Sequence, residues 1–339
     1  SQIFGIINLM KFHVLINRWA NFYFFIANLS EWHFSCRKRY NFFWLAADGK
    51  FSKTEKKYLK IFKKILLKYH FFRYLGILFS TKLEKKDWIE AAKLLNKNEY
   101  KTFNKVFAIF EQRFNKIWNP TILKQNAKIL QKELKSKYCK EIQKDLKIFL
   151  GENKIKQVNI YLLKHPAENW YLAGGANIGN NKLTLECNEL RPNEASVELA
   201  AATVWHEFIH LAYQQKIEKE INRIITVKKQ KQINLPLIQK RSLKEALSEI
   251  IIFSLFPKGY LADKYLHYQP YKKIKQQLNE YLKIYKQFRK GKLADFNVLR
   301  FYFIYKLYPL TKKYIQNKKQ IDEDYIKTVL KYLGIKKTG

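Results

Sequence analysis

Two histidines set four residues apart in an apolar, alanine-rich stretch constrain this chain more than any other feature of its sequence. They are His206 and His210, with Glu207 directly after the first, inside residues 194–215, EASVELAAATVWHEFIHLAYQQ. Positions four apart lie on one face of a helix, so both imidazoles can reach the same metal ion. Asn193 precedes the stretch as a candidate N-cap. The pattern therefore predicts a buried helix that carries two metal ligands.

The chemistry of such a site follows from the residue types. Zinc held by two neutral imidazoles and one carboxylate keeps a fourth position open and lowers the pKa of a bound water to about 7. Glu207 would take the proton of this water and pass it to a leaving amine, which is amide hydrolysis. The alternative is a core helix whose histidines are held by hydrogen bonds alone. A buried His-Glu-His group is costly unless something binds there, so one Zn2+ per chain is the expected cofactor.

The third ligand has to come from elsewhere, and residues 242–249, SLKEALSE, are the next candidate. They lead into an apolar run typical of a helix, on which Glu245 and Glu249 share one face. Ser242 and Glu245 also form a capping-box pattern, in which Glu245 would satisfy a backbone N–H instead of binding a metal. Glu245 and Glu249 are therefore both candidate third ligands, and the helix cap is the alternative role of Glu245.

These two stretches resemble the metal helices of gluzincins, the zinc peptidases that include the thermolysin-like peptidases and related aminopeptidases. KEALSE at 244–249 is similar to the N-E-x-x-S-D pattern of their second metal helix, with Lys244 in place of Asn and Glu249 in place of Asp. The resemblance covers roughly residues 158–256. It implies a zinc peptidase with His206, His210 and Glu245 as metal ligands, Glu207 as general base and acid, and Glu249 as acceptor of an N–H from a metal-bound histidine.

The hydrophobic period changes just before the metal helix. Val158, Ile160 and Leu162 alternate with polar residues, and Leu183 and Leu185 do so again, which predicts a small mixed or antiparallel sheet. Gluzincins have such a sheet, and the resemblance implies that its edge strand pairs with a substrate peptide by β-augmentation.

Three residues of this sheet are the predicted substrate-binding residues. Gly175-Ala176-Asn177 resembles the start of the G-A-M-E-N motif of the aminopeptidases in this group. Ile178 and Gly179 follow, so the glutamate that anchors a free amino terminus is absent from its motif position. Glu186 or Glu189 could replace it from a neighbouring strand, and a turn or bulge is the alternative role of the glycines. We therefore expect an endopeptidase-like or unspecialised cleft, not the cleft of an aminopeptidase.

Helical patterns fill most of the remaining chain. Cap signals and apolar stripes predict helices that open at Ser52 and Thr81, that run from Glu99 to Trp118, and that run from Ile122 to about Phe149 before Gly151. Beyond Gly259 the chain is helical to Leu333, and the resemblance implies an oxyanion donor among Tyr260, Tyr265, His267 and Tyr268.

The expected architecture is α+β and mostly helical. A zincin-like core at 151–260, with a small sheet before the helix of the histidine pair, lies between a helical N-terminal module at 1–150 and a helical C-terminal module at 261–339.

The net charge of +37 raises a second function class. Lys and Arg number 65 against 28 Asp and Glu, which favours an acidic partner. Lysine is spread along nearly every helix and far outnumbers arginine, the residue that proteins use most for specific binding of phosphate groups. A peptide or protein is therefore the expected substrate, with no obligatory nucleic acid. The alternative function is a basic binding protein that retains a zincin-like core.

Location and membrane insertion are predicted from the N-terminal stretch and the cysteines. Charged and polar residues interrupt the apolar residues 3–29, so no membrane span is expected. Cys36, Cys139 and Cys187 form no disulfide framework, and no signal-peptide pattern is present. A cytoplasmic location is expected, and a leader removed before Ser1 is the open alternative.

Overall fold

Helices dominate the part of the chain that the computed structural model describes. The described residues are 10–31, 50–69, 95–165, 174–178, 181–192, 194–225, 243–256, 258–266, 270–289 and 296–333. They form a mostly helical structure with one four-stranded mixed sheet, which confirms the predicted α+β class and the small sheet before the histidine-pair helix.

The elements in these residues follow the order β1 (Lys11–Ile16), α1 (Arg18–Leu29), α2 (Lys53–Tyr69), α3 (Lys97–Ile117), α4 (Pro120–Glu133), α5 (Lys137–Leu150), β2 (Gln157–Lys164), β3 (Gly174–Asn177), β4 (Lys182–Cys187), α6 (Ala195–Ile225), α7 (Leu243–Leu255), α8 (Tyr260–Tyr265), α9 (Pro270–Gln276), α10 (Leu278–Arg289), α11 (Phe296–Gln316) and α12 (Glu323–Tyr332).

The chain divides into two compact units, each assembled from separated segments. Unit 1 contains Met10 and the described residues of 135–156 and 201–333. Unit 2 contains the described residues of 11–134 and 157–200. The three contiguous modules predicted above are a division by sequence pattern and stay a prediction.

Unit 2 is built on the sheet, whose strand order is β1-β2-β4-β3. β1 and β4 both run parallel to β2, whereas β3 pairs antiparallel with β4 at one end of this order. Val158, Ile160 and Leu162 are fully buried on β2, as the alternation predicts. Asn181, which precedes β4, lies in a turn and has a φ of 57°. β1 was not predicted, because its residues lie in a stretch expected to be helical.

Aromatic side chains from α1, α2 and α3 form much of the core of this unit. Phe22 stacks on Phe114 with ring centroids 4.6 Å apart, and Phe62 lies 4.8 Å from Phe103. Asn21 joins α1 to β2. Its side chain donates to the Leu162 carbonyl and accepts from the Lys164 backbone N–H. The aromatic stripes predicted in this region are therefore core.

The capping box predicted at the start of α2 is confirmed. Ser52 Oγ accepts from the Glu55 backbone N–H at 3.1 Å, and Glu55 Oε2 accepts from the Ser52 backbone N–H at 2.7 Å. Arg113 also donates to the Glu55 carboxylate. Burial alone would raise the pKa of Glu55, but the hydrogen bonds from Arg113 and Ser52 outweigh it and leave that pKa below its usual value.

The single helix predicted from Ile122 to about Phe149 is wrong. α4 ends at Glu133 and α5 begins at Lys137. Ser136 caps the second helix, because its Oγ accepts from the Cys139 backbone N–H at 3.4 Å. Its end at Gly151, which has a φ of 81°, is confirmed.

Unit 1 packs the second candidate metal helix into a helical core. α7 lies along α11, and α8 contacts both α7 and α11. Phe149 and Tyr325 are buried against each other with ring centroids 5.0 Å apart, and the Phe149 carbonyl accepts from the Ile321 backbone N–H at 2.7 Å. This core supports the helices that carry the candidate site.

Some predictions fall beyond the described residues. The helix opening at Thr81, the thiol of Cys36 and the caps at Asn193 and Ser242 belong to this group. Within the described ranges, no helix combines the length and the apolar content needed to cross a bilayer.

Candidate metal centre

The predicted helix of the histidine pair is confirmed as α6, and it continues to Ile225. Val197, Ala200, Val204 and Phe208 are buried along it, so an apolar surface fixes its orientation. Such a helix is stabilised by tertiary packing more than by local propensity, since apolar residues cover most of its faces. The segment from Ala201 onward, which carries the candidate site, belongs to unit 1.

The two imidazoles converge on one point. His206 Nε2 and His210 Nε2 lie 3.2 Å apart, and the ring centroids lie 4.8 Å apart. His206 is buried, whereas His210 and Glu207 are partly exposed. One side of the pair is therefore open to solvent, as a site for an external ligand requires.

The opposite ring nitrogen of each histidine faces an acceptor. His206 Nδ1 lies 2.9 Å from the carbonyl of Phe256, at the end of α7. His210 Nδ1 lies 3.1 Å from Gln214 Oε1, and Gln214 Nε2 donates to Glu218 Oε1 at 2.9 Å. That last bond orients the Gln214 amide so that its oxygen, not its nitrogen, faces His210. Both Nδ1 atoms therefore carry the proton, and both Nε2 atoms present a lone pair.

The electrostatics keep both rings neutral near pH 7. Burial lowers the pKa of His206 to about 3, and the nearby charges of His210 and Arg300 act in the same direction. Burial also lowers the pKa of His210, against the opposing effects of Gln214 and Glu249. Neutral imidazole is the form that binds metal ions.

Two lone pairs facing each other at 3.2 Å repel unless a cation lies between them. Two Zn–N bonds of about 2.05 Å at a tetrahedral angle place their nitrogens about 3.3 Å apart. The measured separation matches that spacing, and an imidazole Nδ1–H donated to a carbonyl or amide oxygen is the usual support of a metal-bound histidine. The described residues thus fit two of the ligands of a zinc ion.

The predicted third ligand lies on the expected helix. Glu245 and Glu249 both belong to α7, but the side chain of Glu245 lies outside the described residues. The charge of Glu249 is close enough to His210 to act on its pKa. Among the described side chains, no group of three or more His, Cys, Asp and Glu is arranged to hold a metal ion.

The resemblance implied that Glu249 accepts an N–H from a metal-bound histidine. Nδ1 of His206 faces the Phe256 carbonyl and Nδ1 of His210 faces Gln214 Oε1, and the role of Glu249 stays a prediction. Gln214 lies one helical turn beyond His210 on α6, and the turn after α7 brings the Phe256 carbonyl to His206.

The predicted substrate residues belong to the other unit. Gly175, Ala176 and Asn177 form part of β3 in unit 2, where Gly175 is exposed and the side chain of Asn177 is outside the described residues. The end position of β3 in the sheet order agrees with the expected edge strand.

The candidate oxyanion donors are only partly described. Tyr260 and Tyr265 lie on α8, whereas His267 and Tyr268 are outside the described residues. Tyr265 is buried against Phe256, with ring centroids 6.4 Å apart. Burial raises the pKa of Tyr260, as does the charge of Asp145.

The sequence analysis missed five residues of the site: Gln214, Glu218, Phe253, Phe256 and Arg300. Phe253 packs on His206 with ring centroids 4.5 Å apart, and the Arg300 guanidinium carbon lies 4.0 Å from the centre of the Phe253 ring. Gln214 and Glu218 continue the i, i+4 series of the two histidines, so that spacing could have revealed them. Arg300 has no such local signal.

Comparisons with protein-family models, with curated proteins and with solved structures gave no match for this chain.

Proposed function

We propose that the chain is a zinc-dependent peptidase of gluzincin type that hydrolyses peptide bonds. The observation that carries the proposal is the 3.2 Å approach of two imidazole Nε2 atoms whose Nδ1 atoms both face acceptors. One zinc ion per chain would be held by His206 and His210, with Glu245 as third ligand and Glu249 as the fallback. When bound, the ion would supply Lewis acidity and a water whose pKa is near 7.

The residues of the chain have separate tasks in this proposal. Glu207 accepts the proton of the attacking water and delivers it to the leaving amine. Its position next to His206 and its partial exposure support that task. Phe256 and Gln214 hold the imidazole rings in the tautomer that presents Nε2. The negative charge of Glu249 beside His210 favours a cation at this position.

The edge position of β3 supports a peptide as the substrate. A strand at the end of a sheet has backbone N–H and C=O groups that can pair with an extended peptide. Gly175, Ala176 and Asn177 are the residues that would take part.

Metal analysis tests the ligand set. We expect about one zinc per purified wild-type chain and loss of zinc in His206→Ala and His210→Ala. Glu245→Ala should lose most of the metal and Glu249→Ala should retain it, because only the first removes a ligand. Glu189→Ala, which removes an exposed carboxylate, is the matched control. Wild-type protein that takes up no zinc at neutral pH would overturn the proposal.

Replacement of Glu207 by Gln tests the general base. The variant should bind zinc as the wild type does and lose hydrolysis of a fluorogenic peptide library by at least a hundredfold, in line with the usual worth of a general base. The amide keeps the size of the side chain but cannot accept the proton. Full activity in this variant would refute the role of Glu207.

The alternative function is that of a basic protein that retains a zincin-like core and binds an acidic partner. Its support is the solvent face of α2, where six lysines are exposed: Lys53, Lys56, Lys57, Lys60, Lys64 and Lys68. This function predicts binding that weakens steeply as salt concentration rises and that does not depend on Glu207.

A further inference from the structure

Arg300 lies beside the histidine pair, far from it in sequence. It belongs to the first turns of α11, and its guanidinium carbon is 4.0 Å from the centre of the Phe253 ring. The same ring is 4.5 Å from that of His206. Arg300 and Phe253 are both partly exposed.

A second cation adjoins Arg300. Partial desolvation lowers the pKa of Lys258, and the charges of Arg300 and Lys273 lower it further. The Lys258 ammonium lies 4.4 Å from the centre of the Phe301 ring, next to Arg300 in sequence. Like charges repel one another, and a bound anion would reduce the repulsion among these cations.

We propose that Arg300, assisted by Lys258, binds a carboxylate of the peptide substrate next to the metal centre. The inference rests on the proposed peptidase function and adds the substrate class. A guanidinium binds a carboxylate through two parallel N–H···O bonds, and the Phe253 ring holds its plane in place. Arg300 has other contacts within the chain, and its five N–H donors allow it to keep these while it binds a substrate.

The carboxylate can come from the C-terminus of a peptide or from an Asp or Glu side chain. Three closely related peptides distinguish these two sources of the carboxylate. The first ends in a free carboxylate, the second ends in an amide, and the third ends in an amide but has Glu in place of a Gln next to the scissile bond. We expect the wild type to cleave one carboxylate-bearing peptide with a kcat/KM about ten- to hundredfold above that of the neutral peptide, the range for a charge-assisted pair.

Variants test the assignment to Arg300. Arg300→Ala should remove the preference, mainly by raising KM for the charged peptide, and Arg300→Lys should restore part of it. Lys312→Ala is the matched control, because Lys312 is an exposed cation on the same helix. It should leave the preference unchanged, which separates a local contact from the loss of one positive charge.

A binding measurement gives a readout that does not depend on turnover. Calorimetry on the zinc-loaded protein would use a pair of hydroxamate peptides, one with a free carboxylate and one with an amide. The affinity ratio between the two should follow the kinetic preference in each variant.

The outcomes separate this inference from the peptidase proposal. Zinc uptake and peptide hydrolysis without a carboxylate preference would overturn the inference alone. An equal fall in kcat for charged and neutral peptides in Arg300→Ala would also overturn it, since Arg300 would then act on the oxyanion. Absence of zinc from the wild-type protein would overturn both.

Discussion

His206 and His210 owe their geometry to acceptors outside their own sequence pattern. The Phe256 carbonyl and the Gln214 amide fix which nitrogen of each ring carries the proton, and Glu218 in turn fixes the amide. Three hydrogen bonds therefore set the chemistry of the pair. A metal-binding pattern in a sequence specifies which side chains converge, whereas their protonation is decided by the groups behind them.

A second residue-scale feature is the carboxyl group of Glu186 on β4. It faces Gly174 across the antiparallel pair, close enough that a Cβ at Gly174 would lie 3.3 Å from Glu186 Oε1. Burial raises the pKa of Glu186 from 4.5 to about 7. The folded state therefore binds a proton that the unfolded chain releases above pH 4.5, and the associated stability is fully present below that pH and is lost as pH rises through 7.

Glu186→Gln should remove this pH dependence. We expect the variant to gain stability over the wild type as pH rises from 5 to 8, by on the order of 1–3 kcal/mol, because no charged carboxylate then has to be buried. Thermal unfolding across this pH range measures the effect. The exposed Glu189, replaced in the same way, is the control. A constant difference between Glu186→Gln and the wild type from pH 5 to 8 would contradict the account.

At the scale of elements, the turn between α7 and α8 holds the Phe256 carbonyl against His206. Gly259 starts α8, and a Cβ at this position would overlap the backbone of Ser254 and Leu255 in the last turn of α7. The absence of a side chain at Gly259 therefore allows the two helix ends to meet. The same turn contains Lys258, so the histidine pair and this neighbouring cation depend on one connection.

Gly259→Ala should reduce both stability and zinc affinity. The added methyl group has to displace backbone, which moves the Phe256 carbonyl away from His206. Outer hydrogen-bond partners of metal ligands typically contribute about ten- to hundredfold to affinity, and we expect a loss in that range by competition with a zinc-sensitive dye.

Gly151→Ala is the comparison for that variant. A side chain at Gly151 would also be unfavourable, because its φ is 81°. Gly151 ends α5, however, and takes no part in the turn after α7. It should lower stability and leave zinc affinity unchanged. Equal losses of zinc affinity in the two variants would show that the turn has no specific role.

Local signals account for what could be predicted. Ser52 and Glu55, Asn119 before Pro120, and Gly151 mark helix ends in the sequence, and each is found at such an end. The break before Ser136 was missed because the apolar spacing continues across it. β1 was missed because its partner, β2, lies far along the chain. The histidine pair is local and was found, whereas Arg300 reaches His206 only through the packing of α11 on α7.

For the whole molecule, the charge of +37 is the dominant property. Ion pairs such as Arg113–Glu55 and Lys264–Asp145 form, but 65 basic residues face only 28 acidic ones, so most basic residues cannot have an acidic partner of their own. The remainder repel one another over distances that salt screens, since the Debye length falls from about 14 Å at 0.05 M to about 4 Å at 0.5 M.

Salt should therefore stabilise the folded chain. We expect the melting temperature to rise by a few degrees between 0.05 and 0.5 M sodium chloride, as measured by calorimetry on the zinc-loaded protein. A falling melting temperature would mean that the ion pairs contribute more to stability than the repulsion removes.

The pairing of β1 with β2 has a consequence for synthesis. Lys11 pairs with Gln157, so the N-terminal strand leaves the ribosome long before its partner has been made. During that interval its apolar residues and unpaired backbone groups are open to other chains, and closing so long a loop slows folding. A holding chaperone that covers β1 until residue 157 has been made would then raise the yield of native protein.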